Sequence, residues 1–287
     1  MQYDTFQLET IPDVRTPVFI IGFRGWGNAL EVSSGMAAYI VDSLAGRSVG
    51  RMDPDRCYRY DETRPMVNIE SGRMISINPP GGSFFSIKTQ PDENDLVVLI
   101  ADEPNLSWYH FSQELAGLAR RLNAQAVISL GSMFDNVLHT DRIISAVATG
   151  SDYAHIFSRH GVVPINYQGP SAIHTIILET CRKQGLLGAS FWGHCPAYLQ
   201  GITHHGMMLH LARLLSDIAS FTLATDTLET RWEALDKQIR ELIADNPKLR
   251  EIVDQIRRKK RAGAMQNLEK KPRDKGKVID LRDFIDS

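Results

Sequence analysis

Cysteine is scarce, with three residues in a chain of 287. Cys57, Cys181 and Cys195 are far apart, odd in number and without C-x-x-C spacing. That excludes a disulfide framework and a structural zinc site, and it points to a reducing cytoplasm. Charge of one sign is also lacking, since 32 Lys and Arg face 34 Asp and Glu for a formal net charge of −2. A near-neutral chain offers no electrostatic footprint for nucleic acid or an anionic membrane. Long apolar runs are absent too: LVVLIA at 96–101 falls far short of the roughly 20 residues that span a bilayer. The first residues, MQYDTFQLETIPDV, have neither the basic nor the apolar segment of a signal peptide. The expectation is a cytoplasmic protein with no nucleic-acid or membrane partner.

Complete catalytic signatures are missing as well. The serines lack a G-x-S-x-G elbow, and there is no H-E-x-x-H. His204, His205 and His210 do not share a helix face as His-x3-His would. The stretch VFIIGFRGWGN at 18–28 runs from four apolar residues into G-x-x-G-x-G, which is not the dinucleotide fingerprint G-x-G-x-x-G. No Lys-Ser/Thr follows for a phosphate loop, and Trp26 puts a large ring where a pyrophosphate would need the backbone. A tight strand-to-helix turn is the favoured reading of this loop over a phosphate cradle. No cofactor and no metal are expected.

What is present is an α/β rhythm. Hydrophobic residues make up 43% of the chain, enough for a sizeable core. Val18–Ile21, LVVLIAD (96–102) and AVISLGS (126–132) are short continuous apolar runs, the pattern of strands buried on both faces. RIISAVATG (142–150) and LGASFWGH (187–194) are further strands. Helical spacing appears at 29–44, 107–122, 171–184 and 204–221, while 66–88 alternates around Ser71-Gly72 and Pro79-Pro80-Gly81-Gly82 as antiparallel hairpin strands. Strands alternating with helices predict a mostly parallel central sheet flanked by helices.

Beyond residue 225 the character changes. Leu228, Trp232, Leu235, Ile239 and Leu242 form a coiled-coil-like stripe of about two heptads, taken as candidate subunit contacts. Asn246-Pro247 breaks the helix and restarts it, with Asn as cap and Pro in the first turn. The expected organisation is an α/β domain over 1–225, a C-terminal helical hairpin over 226–261 and a flexible tail over 262–287. The closing VIDLRDFIDS could dock.

GFRGWGNAL after the first strand, HTDRIISAVATG, YQGPSAI, SFWGHCPAYLQ and DNPKLREIVDQI occur in this order. The set resembles the proteasome-assembly-chaperone family, in the bacterial and archaeal branch related to assembly chaperone two, over roughly residues 15–256. The resemblance implies a fold akin to purine nucleoside phosphorylases and related hydrolases, and self-association into rings of three or more copies. In some members it implies binding to proteasome α-type subunits. Two features depart from the family pattern. The chain ends Phe284-Ile285-Asp286-Ser287 in place of a terminal hydrophobic-Tyr-x motif, and Thr203-His204-His205 follows P-A-Y where relatives carry prolines.

Two functions are consistent with these residues. The first is a non-enzymatic, self-associating assembly or scaffold factor. The second is a small-molecule-binding protein or enzyme for a nucleoside- or phosphate-type ligand, seated beyond the carboxyl ends of the strands. The crevice for the latter would collect Arg24, Gly25, Gly27, Asn28, Asp102, Glu103, Asp135, His139, Arg142 and His194. A carboxylate, a histidine and an arginine converging there could serve acid–base chemistry.

Overall fold

The computed structural model describes residues 2–150 and 153–261; the expected tail and its closing segment lie outside them. The strands are β1 (Phe6–Leu8), β2 (Val18–Arg24), β3 (Arg47–Met52), β4 (Met66–Glu70), β5 (Arg73–Asn78), β6 (Gly82–Ile87), β7 (Leu96–Asp102), β8 (Ala126–Asp135), β9 (Ile144–Ala148), β10 (Val163–Pro164) and β11 (Gly188–Pro196). The helices are α1 (Val32–Ser43), α2 (Pro54–Cys57), α3 (Trp108–Arg121), α4 (Tyr153–His160), α5 (Ile173–Lys183), α6 (His205–Ala219), α7 (Asp226–Asp245) and α8 (Pro247–Arg261).

Nine strands form one sheet in the order β1-β3-β6-β7-β2-β8-β11-β9-β10. Its centre, β7-β2-β8-β11, is parallel as expected. Outside that centre β6, β3 and β1 run antiparallel on one side. On the other side β9 is antiparallel to β11, and β10 returns parallel to β9. The hairpin β4–β5 is a separate two-stranded sheet.

Alternation along β2 explains its continuous apolar run. Val18 and Ile20 enter one apolar cluster, and Phe19, Ile21 and Phe23 enter another on the opposite face. A side-chain period of two in a strand flanked by strands and covered by helices requires both sets to be apolar. α1, α4, α6, α7 and α8 contribute to the first cluster, and α3 and α5 to the second. At Gly22 a Cβ would lie 2.6 Å from the Ser33 carbonyl oxygen, so glycine is what lets α1 pack this close to β2.

Residues 226–261 form two helices that pack on the α/β body. Leu228, Leu235, Ile239, Leu249 and Val253 belong to the same buried cluster as Val18 and Ile20. The α7–α8 break occurs where the sequence predicts it, and Asn246 Oδ1 accepts from the Lys248 and Leu249 N–H groups at 3.0 and 3.1 Å. The stripe itself corrects an expectation. Leu228, Leu235 and Ile239 are 0, 9 and 1% exposed, and Trp232 and Leu242 pack half-buried against them. Three of the five side chains taken as candidate subunit contacts are thus buried within their own chain. No helix among the described residues is long and apolar enough to cross a membrane.

Candidate functional site

The polar residues expected at the strand ends are there, and most are tied by bonds to their near neighbours.

The first group joins β2 to β7. Arg24 Nε donates to Asp102 Oδ1 at 2.7 Å, and the other Asp102 oxygen accepts from the Gly81 N–H at 2.9 Å. An Arg24 terminal nitrogen also donates to the Gly81 carbonyl at 3.3 Å. Beside them lies an open cavity of about 330 Å³, lined by Arg24, Pro79, Gly81, Ser83, Phe85 and Asp102 among others. Its volume suits a small ligand, but its one cation is already paired.

The glycine loop follows. Gly25 has φ +116°, and a Cβ there would press on Glu103, so this turn requires glycine. Gly27 packs against His174 and Trp192. Asn28 Oδ1 accepts from the Ser34 N–H at 3.1 Å, and its amide donates to Ser34 Oγ at 2.9 Å. An N–H of α1's first turn that could have held an anion is thus capped by the chain itself. The loop makes a strand-to-helix turn in which Asn28 is bonded to Ser34. Glu103 Oε1 accepts from the Ile173 N–H at 2.9 Å, at the start of α5. Burial raises its pKa, while hydrogen bonds from the Ile173 and Trp26 backbones pull the other way.

The next group links three strands. His194 Nδ1 is 2.7 Å from Asp135 Oδ2, and its Nε2 is 2.8 Å from Ser145 Oγ. A carboxylate only accepts, so Nδ1 donates to Asp135 while Nε2 meets the Ser145 hydroxyl. This is the connectivity of a Ser-His-Asp triad, which the sequence motifs alone do not suggest. Ser145 and His194 are only 1 and 2% exposed, however, so no substrate carbonyl reaches the hydroxyl. The three residues act as a cross-strand tie between β8, β11 and β9.

His139 and Arg142 belong to a further group, under α7. The His139 N–H donates to the Tyr198 hydroxyl at 2.7 Å, and that hydroxyl is also 2.7 Å from His139 Nδ1. Nε2 faces Asp236 at 3.5 Å. Arg142 stacks 4.5 Å above the Trp232 ring, whose other contacts include the His204 imidazole at 5.4 Å between centroids. Burial pushes His139 down to about 4, helped by Arg257, Arg142 and Arg240, and burial pushes His204 down to about 3. Both imidazoles are neutral parts of a packed joint. Tyr198 and Asp236 complete it, and sequence reasoning missed them; Tyr198 lies four residues beyond His194 in SFWGHCPAYLQ.

All three thiols are free and buried. Burial pushes Cys57 and Cys181 up to about 12, and Cys195 higher still. Asp4, His110 and Glu114 come within ligand distance of one another. Glu114 already accepts from the Asp4 and Thr5 N–H groups at 2.7 and 2.9 Å, which pins the N-terminal segment to α3.

The sequence model of the PAC2 family matches residues 19–243. No curated protein matches the chain. Among solved structures, a protein of unknown function from Corynebacterium glutamicum superposes with a TM-score of 0.80 at 19% identity, over 91% of this chain and 98% of that one. A proteasome-assembly chaperone homologue from Mycobacterium tuberculosis gives 0.75 at 24%, over 82 and 99%. The archaeal proteasome activator PbaB from Pyrococcus furiosus gives 0.65 at 15%, over 83 and 98%. At these identities the likeness is one of fold.

Proposed function

The chain belongs to the PAC2 family, and on that footing we propose that it works as a non-enzymatic, self-associating assembly or scaffold factor, with proteasome α-type subunits as its partner class. The observation that carries this reading is how the strand-end polar groups are used. Arg24 is held by Asp102, His194 lies between Asp135 and Ser145, and His139 is locked to Tyr198. Such bonds stiffen the frame and leave little reactive polarity at the edge where an α/β enzyme would work. A rigid subunit that offers apolar surface is suited to templating other subunits through shape and burial. The names of two structural relatives, an assembly-chaperone homologue and a proteasome activator, support the choice of partner.

The test mixes the full-length protein with recombinant proteasome α-type subunits from the same source cell and resolves the products by size-exclusion chromatography with light scattering. Co-elution, or faster appearance of α rings, is the expected result. No co-elution and no change in ring formation across the micromolar range would overturn the partner. A version stopping after Ala262 shows whether the terminal segment takes part. The alternative reading, a nucleoside- or phosphate-type ligand, has the cavity beside Arg24 in its favour. Thermal shift with phosphate, nucleosides and nucleotides tests it, since a ligand that binds only the folded state raises Tm.

A further inference from the structure

The N-terminal segment meets α3 at three side chains that carry metal-ligating atoms. His110 and Glu114 stand four residues apart on α3, so they share a helix face. Asp4 comes from 106 residues away and precedes β1, the strand at one end of the nine-stranded sheet. Thr5 and Phe6, which follow it, are buried, and the Phe6 ring packs 6.3 Å from that of Phe111 on α3. Packing of its neighbours thus delivers Asp4 to the helix. His110 Nε2 lies 3.2 Å from Asp4 Oδ2 and 3.5 Å from Glu114 Oε1. Two ligands of a tetrahedral zinc ion, each about 2.0–2.2 Å from it, lie roughly 3.3–3.6 Å apart. Both distances are close to that spacing. Among the described residues no other trio of His, Cys, Asp or Glu brings three donor atoms within 4.8 Å of one another.

We propose that Asp4, His110 and Glu114 form a site for a zinc ion that clasps the N-terminal segment to α3. The donor set decides the metal. One imidazole nitrogen with two carboxylate oxygens suits zinc, whereas magnesium and calcium take oxygen ligands. The place of the imidazole decides the role. Its Nε2 faces both carboxylates, and a neutral ring has a single proton to offer the two of them. A divalent ion engages all three donors at once and neutralises both carboxylates. Glu114 is also held ready for this. Its side chain is only 14% exposed, and its Oε2 accepts from the Thr5 N–H at 2.9 Å and the Thr5 hydroxyl at 2.5 Å. Outer bonds of this kind fix the direction of a ligating carboxylate. Oε1, which faces His110, accepts from the Asp4 N–H at 2.7 Å and keeps a second lone pair for a metal. Asp4 and His110 are 78 and 50% exposed at their side chains, so an ion reaches them from solvent, and three protein ligands leave a fourth position for water. The sequence shows half of this site, as His110-x3-Glu114 in HFSQE. The fold supplies the third ligand. The clasp is independent of the partner proposed above.

Isothermal titration of Zn²⁺ into the metal-stripped, tag-free, full-length protein, beside a His110→Gln variant, tests this. The wild type is expected to bind one ion per chain in the micromolar range, and the variant to bind it at least about 10-fold more weakly. Circular dichroism checks that the variant folds. Should it not fold, Asp4→Asn at the most exposed ligand carries the same expectation. Hydrogen exchange by mass spectrometry reads the clasp itself. Zn²⁺ should slow exchange over residues 2–8 in the wild type and leave the variant unchanged, and Mg²⁺ and Ca²⁺ should leave both unchanged. No Zn²⁺ binding up to about 100 μM, or equal binding by wild type and variant, would overturn the site. Binding that leaves exchange over residues 2–8 unaltered would overturn the clasp.

Discussion

The hairpin over residues 66–78 and the helices over 226–261 both carry apolar residues at regular spacing, and they have opposite fates. Ile239 on α7 is 1% exposed, while Ile69 on β4 is 59% exposed. Both patterns state that a face requires cover. Neither states what supplies it. For α7 the cover is α6 and α8 of the same chain, with Trp232 closing over His204 and Arg142. For the hairpin the described residues supply none. Periodicity alone does not say whether a heptad-like stripe packs on its own domain or on a neighbour.

The largest effect that separates the two regions comes from truncation in the stripe. Ile239→Ala is expected to lower the unfolding free energy by about 2–5 kcal/mol, the range for emptying a buried isoleucine site. Urea unfolding monitored by circular dichroism measures it, and a loss under about 1 kcal/mol would mean that α7 is not docked as described.

Acid should act on the same side of the comparison. His139 titrates near 4 and His204 near 3 in the folded chain, against 6.5 for a free imidazole. The unfolded chain thus binds protons that the folded one refuses. Stability is full above about pH 6.5 and falls as pH drops toward 4, by up to about 1.4 kcal/mol per pH unit for each histidine. The joint under α7 should loosen first, and the hairpin, which has no histidine, should not respond. Urea midpoints over that window, combined with hydrogen exchange resolved to α7, check the sign. Rising stability on acidification would contradict it.

At the hairpin's root the effects are smaller. Arg24→Ala removes the half-exposed pair with Asp102 and should cost about 0.2–1 kcal/mol, read as a small shift in the urea midpoint. The smallest effect is Ile69→Ala, which should leave the stability of the subunit within about 0.5 kcal/mol of wild type. A large loss of subunit stability from Ile69→Ala would mean that the hairpin already packs within its own chain.

Parts of the fold were plain in the sequence for physical reasons. β2, β7 and β8 are buried on both faces, which forces continuous apolar runs, and α3, α5 and α6 each bury one face, which forces helical spacing. Asn246-Pro247 marked a helix boundary because capping chemistry is local. β3 (RSVGRM) was not legible, since it is half exposed and bends at a bulge opposite β6. Nor could the sequence show that β6 leaves the hairpin and joins β7, because strand pairing is a long-range choice. The site followed the same division. Arg24, Asp102, Asp135 and His194 do sit at strand ends, but which of them touch depends on strand order, so the pairs Arg24–Asp102 and Asp135–His194 could not be read from the sequence. Ser145, Tyr198 and Asp236 had no local signal at all. Each is polar within an apolar stretch or a helix, and only its partner across the fold gives it a role.

Hydrogen exchange by mass spectrometry on the full-length protein tests the central contrast most directly. Amides of α7 should open only with a large fraction of the global unfolding free energy, while those of residues 66–78 should exchange through much smaller openings. Hairpin amides that exchange as slowly as those of α7 would contradict the account.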